Sequence, residues 1–189
     1  MNIGLFFGSF NPIHIGHLII ANYMIEFTEI EEVWFVVSPQ NPFKIHDKLE
    51  DEEHRLAMAR LAVEDNPHLK ISDVEFKLSK PSFTLNTLHH LYNAFPEHEF
   101  KLIMGADNLA GFHKWKGYEE ILKRHELFVY HREGFDHAQL KMHPKVRVFD
   151  APVLNISATF IREVLQAGKS IHYLVPTPVE QYIHQQKLY

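Results

Sequence analysis

Apolar runs alternate along this chain with longer segments whose apolar residues recur at helical spacing. The runs are typical of strands buried on both faces, and one further segment alternates apolar and polar residues, as a half-buried strand does. Six strands are therefore predicted, at 2–7, 33–38, 69–76, 100–105, 126–132 and 145–150. Six helices are predicted, at 15–28, 51–64, 82–95, 117–124, 157–168 and 176–187.

The order of these elements predicts the fold class. Strands and helices alternate almost throughout, which is typical of α/β proteins with helices on both faces of a parallel sheet. We expect a Rossmann-like, doubly wound parallel sheet of about six strands. No repeat, low-complexity segment or linker interrupts the pattern, so residues 1–189 are predicted to form a single domain.

Composition narrows the classes of partner. The formal net charge is -5 and no dense basic run is present, so we expect no nucleic-acid partner. Cysteine is absent, which excludes disulfides, thiolate nucleophiles and thiolate metal ligands. No apolar run approaches the ~18 residues that span a bilayer, and the first residues do not resemble a signal peptide. The sequence predicts a cytoplasmic protein without a membrane partner and leaves a homo-oligomer open.

Polar and glycine-containing segments follow most of the predicted strands. The segments are 8–17 after the first strand, 38–44 after the second, 105–107 after the fourth, Arg132 after the fifth, and 157–159 after the sixth. Parallel α/β sheets bind ligands beyond the carboxyl ends of their strands, where the strand order reverses. These segments are therefore expected to meet at one crevice.

The first of these segments, GSFNPIHIGH at 8–17, has the properties of a phosphate site. Glycine at a strand end lets the backbone approach a ligand closely. The helix that follows offers unpaired N–H groups and a partial positive charge, and the imidazoles of His14 and His17 can donate N–H bonds to phosphate oxygens. The alternative is a tight turn with one buried and one exposed histidine.

Two signatures in this chain resemble those of the nucleotidyltransferase superfamily. Residues 8–17 resemble the pattern G-x-F-x-P-x-H-x-G-H, and ISATFIR at 156–162 resembles I-S-[ST]-T-x-I-R. Four more segments are similar to bacterial nicotinate mononucleotide adenylyltransferases: SPQNPFK at 38–44, SFTLNTL at 82–88, MGADNLAGFHKW at 104–115 and VYHREG at 129–134.

This resemblance implies transfer of AMP from ATP to nicotinate mononucleotide, with Mg2+ accompanying ATP and no dedicated metal site in the protein. It implies catalytic roles for His14 and His17. The ATP-binding residues that it implies are Gly8, Ser9, Phe10, Gly16, His17, Gly105, Asp107, Arg132, Ser157, Thr159 and Arg162. The mononucleotide-binding residues that it implies are Asn11, Ser38, Lys44, Thr84 and Trp115.

The chain departs from the family pattern at three positions. Phe43 precedes the lysine of the second loop, where histidine is frequent in the family, and Phe83 stands where tyrosine is common. Ala158 replaces the second hydroxyl residue of the late signature and so removes one hydrogen bond that a phosphate could accept.

Several other interpretations stay open at this stage. Trp115 could be a core residue, and Thr84 could be a plain helix N-cap. An adenylyltransferase for pantetheine phosphate, a cytidylyltransferase and a nucleotide-sensing module without turnover would share the first signature. HIGH at 14–17 and KLSK at 77–80 also imitate class I aminoacyl-tRNA synthetases, but the chain is short for such an enzyme and its charge is wrong for tRNA.

Overall fold

A computed structural model describes residues 1–39, 49–132, 134–135 and 138–189, and the side chains of 138 and 139 are left out. Over these residues the strands form one six-stranded sheet in the order β3-β2-β1-β4-β5-β6, and every neighbouring pair is parallel. The strands are β1 Asn2–Gly8, β2 Glu32–Val37, β3 Leu69–Ser72, β4 Glu99–Gly105, β5 Leu127–Tyr130 and β6 Val146–Phe149. The predicted doubly wound parallel sheet is confirmed.

Helices cover both faces of the sheet. They are α1 Ile15–Phe27, α2 Glu52–Val63, α3 Thr84–Ala94, α4 Ala106–Gly111, α5 Tyr118–Arg124, α6 Ala138–Lys141, α7 Ala158–Gln166 and α8 Thr177–Gln186. Side chains alternate along each strand, so Phe6 packs into a core with α1, α2, α7 and α8, while its neighbour Leu5 packs with α3, α4 and α5. Within the described residues, no helix combines the length and apolar character that crossing a membrane requires.

The structure differs from the sequence analysis in several local details. The third strand ends at Ser72, and Val74–Lys77 is a 3-10 turn that buries both Val74 and Glu75. The short helices α4 and α6 were not predicted. The N-cap of α3 is Phe83, so Thr84 is the first helical residue and not a cap. By contrast, the helix predicted from residue 157 does begin there, because the Ser157 hydroxyl caps α7 by accepting the Phe160 N–H at 3.1 Å.

The order of the strands puts the switch point between β1 and β4. Connections from these two strands leave toward opposite sides of the sheet, which opens a crevice at their carboxyl ends. The Ser38 N–H donates to the Gly8 carbonyl at 2.9 Å, so the segments after β1 and β2 begin side by side.

Arg55 of α2 ties these two segments together. Its side chain is 1% exposed. The Nη1 atom donates to the carbonyls of Ser9 and Ser38 at 2.7 Å each, Nη2 donates to Pro39 at 3.1 Å, and Nε donates to Glu50 at 3.0 Å. One buried guanidinium therefore fixes the segments that follow β1 and β2 relative to each other.

Replacing Arg55 with methionine should lower the free energy of unfolding by about 3–5 kcal/mol, because it strips four carbonyl groups of a charged donor inside the protein. Arg60, exposed on the same helix, supplies the matched control, and Arg60→Met should change that free energy by less than about 0.5 kcal/mol. Urea denaturation measures both. Equal small effects would show that the buried contacts carry no stability.

Candidate active site

A cavity of about 670 Å3 lies at the carboxyl ends of the strands. Most of the residues singled out in the sequence line it: Gly8, Ser9, Phe10, Asn11, His14, His17, Ser38, Thr84, Asp107, Trp115, Arg132, Ser157, Thr159 and Arg162. Two of them, Gly16 and Gly105, do not line the cavity, and Lys44 falls outside the described residues. The polar segments that follow separate strands therefore do meet at one crevice.

The segment between β1 and α1 is shaped by Phe10. Its backbone has a φ of 45°, in the left-handed region, and its ring is buried against Phe6 and Phe35. A Cβ atom on Gly8 would lie 2.8 Å from that ring, so only glycine fits at the end of β1. The tight fold of this segment brings its backbone to the edge of the cavity.

The two histidines form a stacked pair at the start of α1. Their ring centroids are 3.7 Å apart, with planes inclined by 25°. The backbone N–H of His14 donates to Nδ1 of His17 at 3.2 Å. Because Nδ1 of His17 accepts a hydrogen bond, the neutral ring carries its proton on Nε2. A ligand in the cavity therefore meets His17 as a hydrogen-bond donor.

Burial keeps both rings neutral in the free protein. Desolvation, reinforced by the positive charge of Arg132, lowers the pKa of His14 to about 4. The pKa of His17 is also well below its usual range, first because of burial and then because of His14 and Arg132. The cost of charging these rings would fall when an anion enters the cavity, because an opposite charge favours the protonated form.

Two buried polar atoms in the cavity have no hydrogen-bond partner among the described residues. They are Nδ1 of His14 and Oδ1 of Asp107. The other carboxylate oxygen of Asp107 accepts from Nη1 of Arg132 at 3.1 Å. Buried groups that lack a partner are uncommon in folded proteins, and both of these atoms belong to residues that line the cavity.

Arg162 of α7 joins the late segment to the early one. Its Nη1 atom donates to the Asn11 carbonyl at 2.7 Å, and its Nη2 atom donates to the Thr159 hydroxyl at 3.3 Å. These contacts bring the N-terminus of α7 beside the segment that precedes α1. Two helix N-termini, with their partial positive charges, therefore face the same cavity.

The opposite wall of the cavity is formed by the start of α3 and the segment around Trp115. The Trp115 ring is half-buried, and its centroid lies 5.1 Å from that of the Phe112 ring. It packs against the apolar core that contains Leu5, and it also lines the cavity. It is therefore both a packing residue and a cavity wall. The Lys116 ammonium lies 4.5 Å from the centroid of the Phe83 ring and adds positive charge to this wall.

Two residues of the site, Glu75 and Tyr130, were missed in the sequence analysis. The buried carboxylate of Glu75 accepts from the hydroxyls of Ser82 and Thr87 at 2.7 and 2.8 Å, and so holds the entrance to α3. Glu75 was missed because it lies in the segment 69–76, where the alternation of apolar and polar residues predicted a strand with Glu75 exposed. Tyr130, at the end of β5, also lines the cavity, and burial raises its pKa to about 12. The strand-end rule could have found Tyr130.

Comparison with known proteins agrees with this geometry. The sequence model of the cytidylyltransferase-like family matches residues 5–164. A protein of Flavobacterium johnsoniae named "Probable nicotinate-nucleotide adenylyltransferase" is 50% identical, and the match covers 100% of this chain and 99% of that protein. A protein of the same name from Flavobacterium psychrophilum is 51% identical with the same coverage.

The fold is also that of a solved structure. The nicotinic acid mononucleotide adenylyltransferase of Plasmodium falciparum, complexed with NaAD, superposes with a TM-score of 0.83. The two chains are 22% identical, and the match covers 100% of this chain and 97% of the other. The chain thus belongs to the cytidylyltransferase-like family and, within it, to the nicotinate-nucleotide adenylyltransferases.

Proposed function

We propose that this protein transfers AMP from ATP to nicotinate mononucleotide, forming nicotinate adenine dinucleotide and releasing pyrophosphate in NAD biosynthesis. The observation that carries the proposal is the 2.7 Å contact between Arg162 and the Asn11 carbonyl, which joins the two signature segments at one cavity. The names of the full-length relatives support the same reaction. Cytoplasmic location and the lack of a nucleic-acid partner stay predictions of the sequence, which leaves a homo-oligomer open.

The chemistry needs no general base. The nucleophile is the phosphate of the mononucleotide, whose second pKa is about 6, so it is largely a dianion at pH 7. Its oxygen attacks the α-phosphorus of ATP, and the bond from that phosphorus to the pyrophosphate oxygen breaks. Repulsion between two anions is the obstacle, so the protein must position both reactants in line and offset their charge.

On the ATP side, we assign the α-phosphate to the N–H of His17, with His14 beside it. Ser157, Thr159 and the N-terminus of α7 suit the outer phosphates, and Arg132, which is close enough to lower the pKa of both histidines, adds positive charge. Donors that are already fixed by packing lose little entropy when charge develops on the phosphates. Gly8, Ser9 and Phe10 supply the backbone along the nucleotide, and we assign Asp107, which lines the cavity, to a ribose hydroxyl.

On the mononucleotide side, we assign Trp115 to stacking on the nicotinate ring. The start of α3 at Thr84 offers backbone N–H groups to the carboxylate of that ring, because the N-terminus of a helix favours an anion. We assign Asn11 and Ser38, which line the same cavity, to the mononucleotide as well. Lys44, for which the resemblance implies contact with the mononucleotide phosphate, stays a sequence prediction.

Mg2+ fits this site as an ion that is carried on ATP. The described residues contain no cluster of three or more histidine or carboxylate side chains that could hold a metal. Mg2+ is often held by substrate phosphates with few protein ligands, and when bound it offsets phosphate charge. The chain's own part is then to hold the phosphates with His17, Arg132, Arg162 and α7.

A coupled assay of pyrophosphate release tests the proposed reaction. We expect turnover with ATP and nicotinate mononucleotide, and much slower turnover with nicotinamide mononucleotide, pantetheine phosphate or CTP. His17→Ala should lower kcat by about 10²–10³-fold, because it removes a donor to the reacting phosphate. His113→Ala, at an exposed histidine outside the cavity, is the control. A wild-type protein that binds ATP without turnover would instead be a sensing module.

Trp115→Ala should raise KM for the mononucleotide about tenfold while KM for ATP changes little, because one stacking face for an aromatic ring is worth ~1–3 kcal/mol. Trp115→Phe keeps an aromatic face and should recover part of the loss. Initial rates with each substrate varied in turn measure both constants. Equal increases in the two constants would refute a stacking role.

The neutral histidine pair predicts a pH dependence of stability. The pKa of His14 is about 4 in the folded protein, against a value of about 6.5 in an unfolded chain. Between these two values the unfolded chain binds the proton more tightly than the folded protein does. The free energy of unfolding is therefore unaffected by His14 above pH 6.5 and falls as the pH drops toward 4. The imidazole C–H resonances of His14 should not titrate between pH 8 and 5, and His14→Asn should flatten the stability profile below pH 6.5. Titration of His14 near pH 6.5 would contradict its burial.

A further inference from the structure

Tyr189 lies beyond the last helix on a segment that turns back toward the cavity. Lys187 has a φ of 55°, in the left-handed region, and the Leu188 N–H donates to the Ile183 carbonyl at 3.1 Å. This turn ends α8 and brings the half-buried Tyr189 ring against the apolar cluster that contains Phe6 and Phe10. The hydroxyl of Tyr189 is thereby placed beside the signature segment at 8–17.

The hydroxyl of Tyr189 fixes the side chain of Asn11. It donates to Oδ1 of Asn11 at 2.9 Å, and the backbone N–H of Glu50 donates to the same oxygen at 3.1 Å. Two donors on one oxygen determine which end of the amide is Oδ1 and which is Nδ2. Burial, and then the nearby Glu50 carboxylate, raise the pKa of Tyr189, so the phenol keeps the proton that it donates.

Asn11 is the residue at which the two signatures meet. It lines the cavity although only 2% of it is exposed, and its carbonyl accepts from Arg162. The side chain of Asn11 is thus held by Tyr189 and Glu50, and its backbone is held by Arg162. A change at the Tyr189 hydroxyl can therefore reach both the amide of Asn11 and the guanidinium of Arg162.

We infer that Tyr189 is a positioning residue for adenylyl transfer: its hydroxyl orients Asn11 and, through the Asn11 backbone, the guanidinium of Arg162. Tyr189 does not itself line the cavity, so it acts only through these two residues. The inference rests on the proposed function, because its kinetic consequence concerns that reaction. Loss of the hydroxyl should loosen the alignment of the two phosphates more than it weakens the binding of either substrate.

Tyr182 of α8 offers a matched control. Its ring is also half-buried against the same apolar cluster, and its hydroxyl lies 2.9 Å from Nδ1 of His54 on α2. Removing this hydroxyl loosens the contact between α8 and α2 without touching Asn11 or the cavity. A difference in kcat between Tyr189→Phe and Tyr182→Phe therefore distinguishes an effect on Asn11 from an effect on the packing of α8.

The kinetic test compares Tyr189→Phe and Tyr182→Phe in the full chain, with ATP and nicotinate mononucleotide as substrates. Tyr189→Phe should lower kcat about tenfold, since small misalignments of reacting groups are costly, while KM for ATP changes less than about twofold. Tyr182→Phe should keep the wild-type kcat. The melting temperatures of the two variants should agree within about 2 °C.

Spectra of the free protein make the role of Tyr189 testable apart from turnover. In 1H–15N correlation spectra, the side-chain amide signals of Asn11 and the Nε–H signal of Arg162 should shift in Tyr189→Phe and stay in place in Tyr182→Phe. Unshifted signals, an unchanged kcat or an equal loss in both variants would overturn the inference. A wild-type protein that releases no pyrophosphate would refute the proposed function, and the spectra would then decide the role of Tyr189.

Discussion

Two guanidinium-to-carbonyl contacts hold the segment between β1 and α1, and the candidate active site depends on them. Arg55 donates a hydrogen bond to the carbonyl of Ser9, and Arg162 donates one to the carbonyl of Asn11, each at 2.7 Å. Residues 9–14 belong neither to the strand nor to the helix, so their backbone lacks the hydrogen bonds of regular structure. Donors from two distant helices replace those bonds, and the Phe10 ring anchors the segment to the core.

The same arrangement explains how the site handles negative charge. The carbonyl oxygens of Ser9 and Asn11 accept from arginines, and the Nε2 proton of His17 stays available to a ligand. The histidines are neutral when the cavity holds no anion, because desolvation outweighs any benefit of protonation. Phosphates would bring the charge that the arginines and the helix N-termini are placed to offset. The free protein thereby avoids burying a cluster of unpaired positive charges.

The sequence predicted those parts of the structure that depend on local chemistry. Buried strands, helix N-caps such as Ser157 and the glycine at the end of β1 each have a short-range signal, and the strand-end rule brought the segments after them to one crevice. The extent of β3 was wrong because Val74 and Glu75 alternate like a strand while a tight turn buries both. The short helix α4 was missed because it has only six residues and ends in Gly111.

Long-range partners could not be predicted in the same way. Arg55 resembles any other arginine on a charged helix, and its acceptors are backbone carbonyls, which leave no trace in the sequence. The contact of Tyr189 with Asn11 spans 178 positions and depends on the packing of α8. The buried carboxylate of Glu75 likewise finds its hydroxyl partners only once the turn before α3 has formed. Such residues hold the other residues of the site in place through hydrogen bonds, and these partners are visible only in the folded chain.

A crystal structure with a non-hydrolysable ATP analogue and nicotinate mononucleotide would test the assigned geometry most directly. We expect the α-phosphate within hydrogen-bond distance of Nε2 of His17, the outer phosphates at the N-terminus of α7, and the mononucleotide phosphate in line with the α-phosphorus. A triphosphate bound away from both His17 and α7 would contradict this placement.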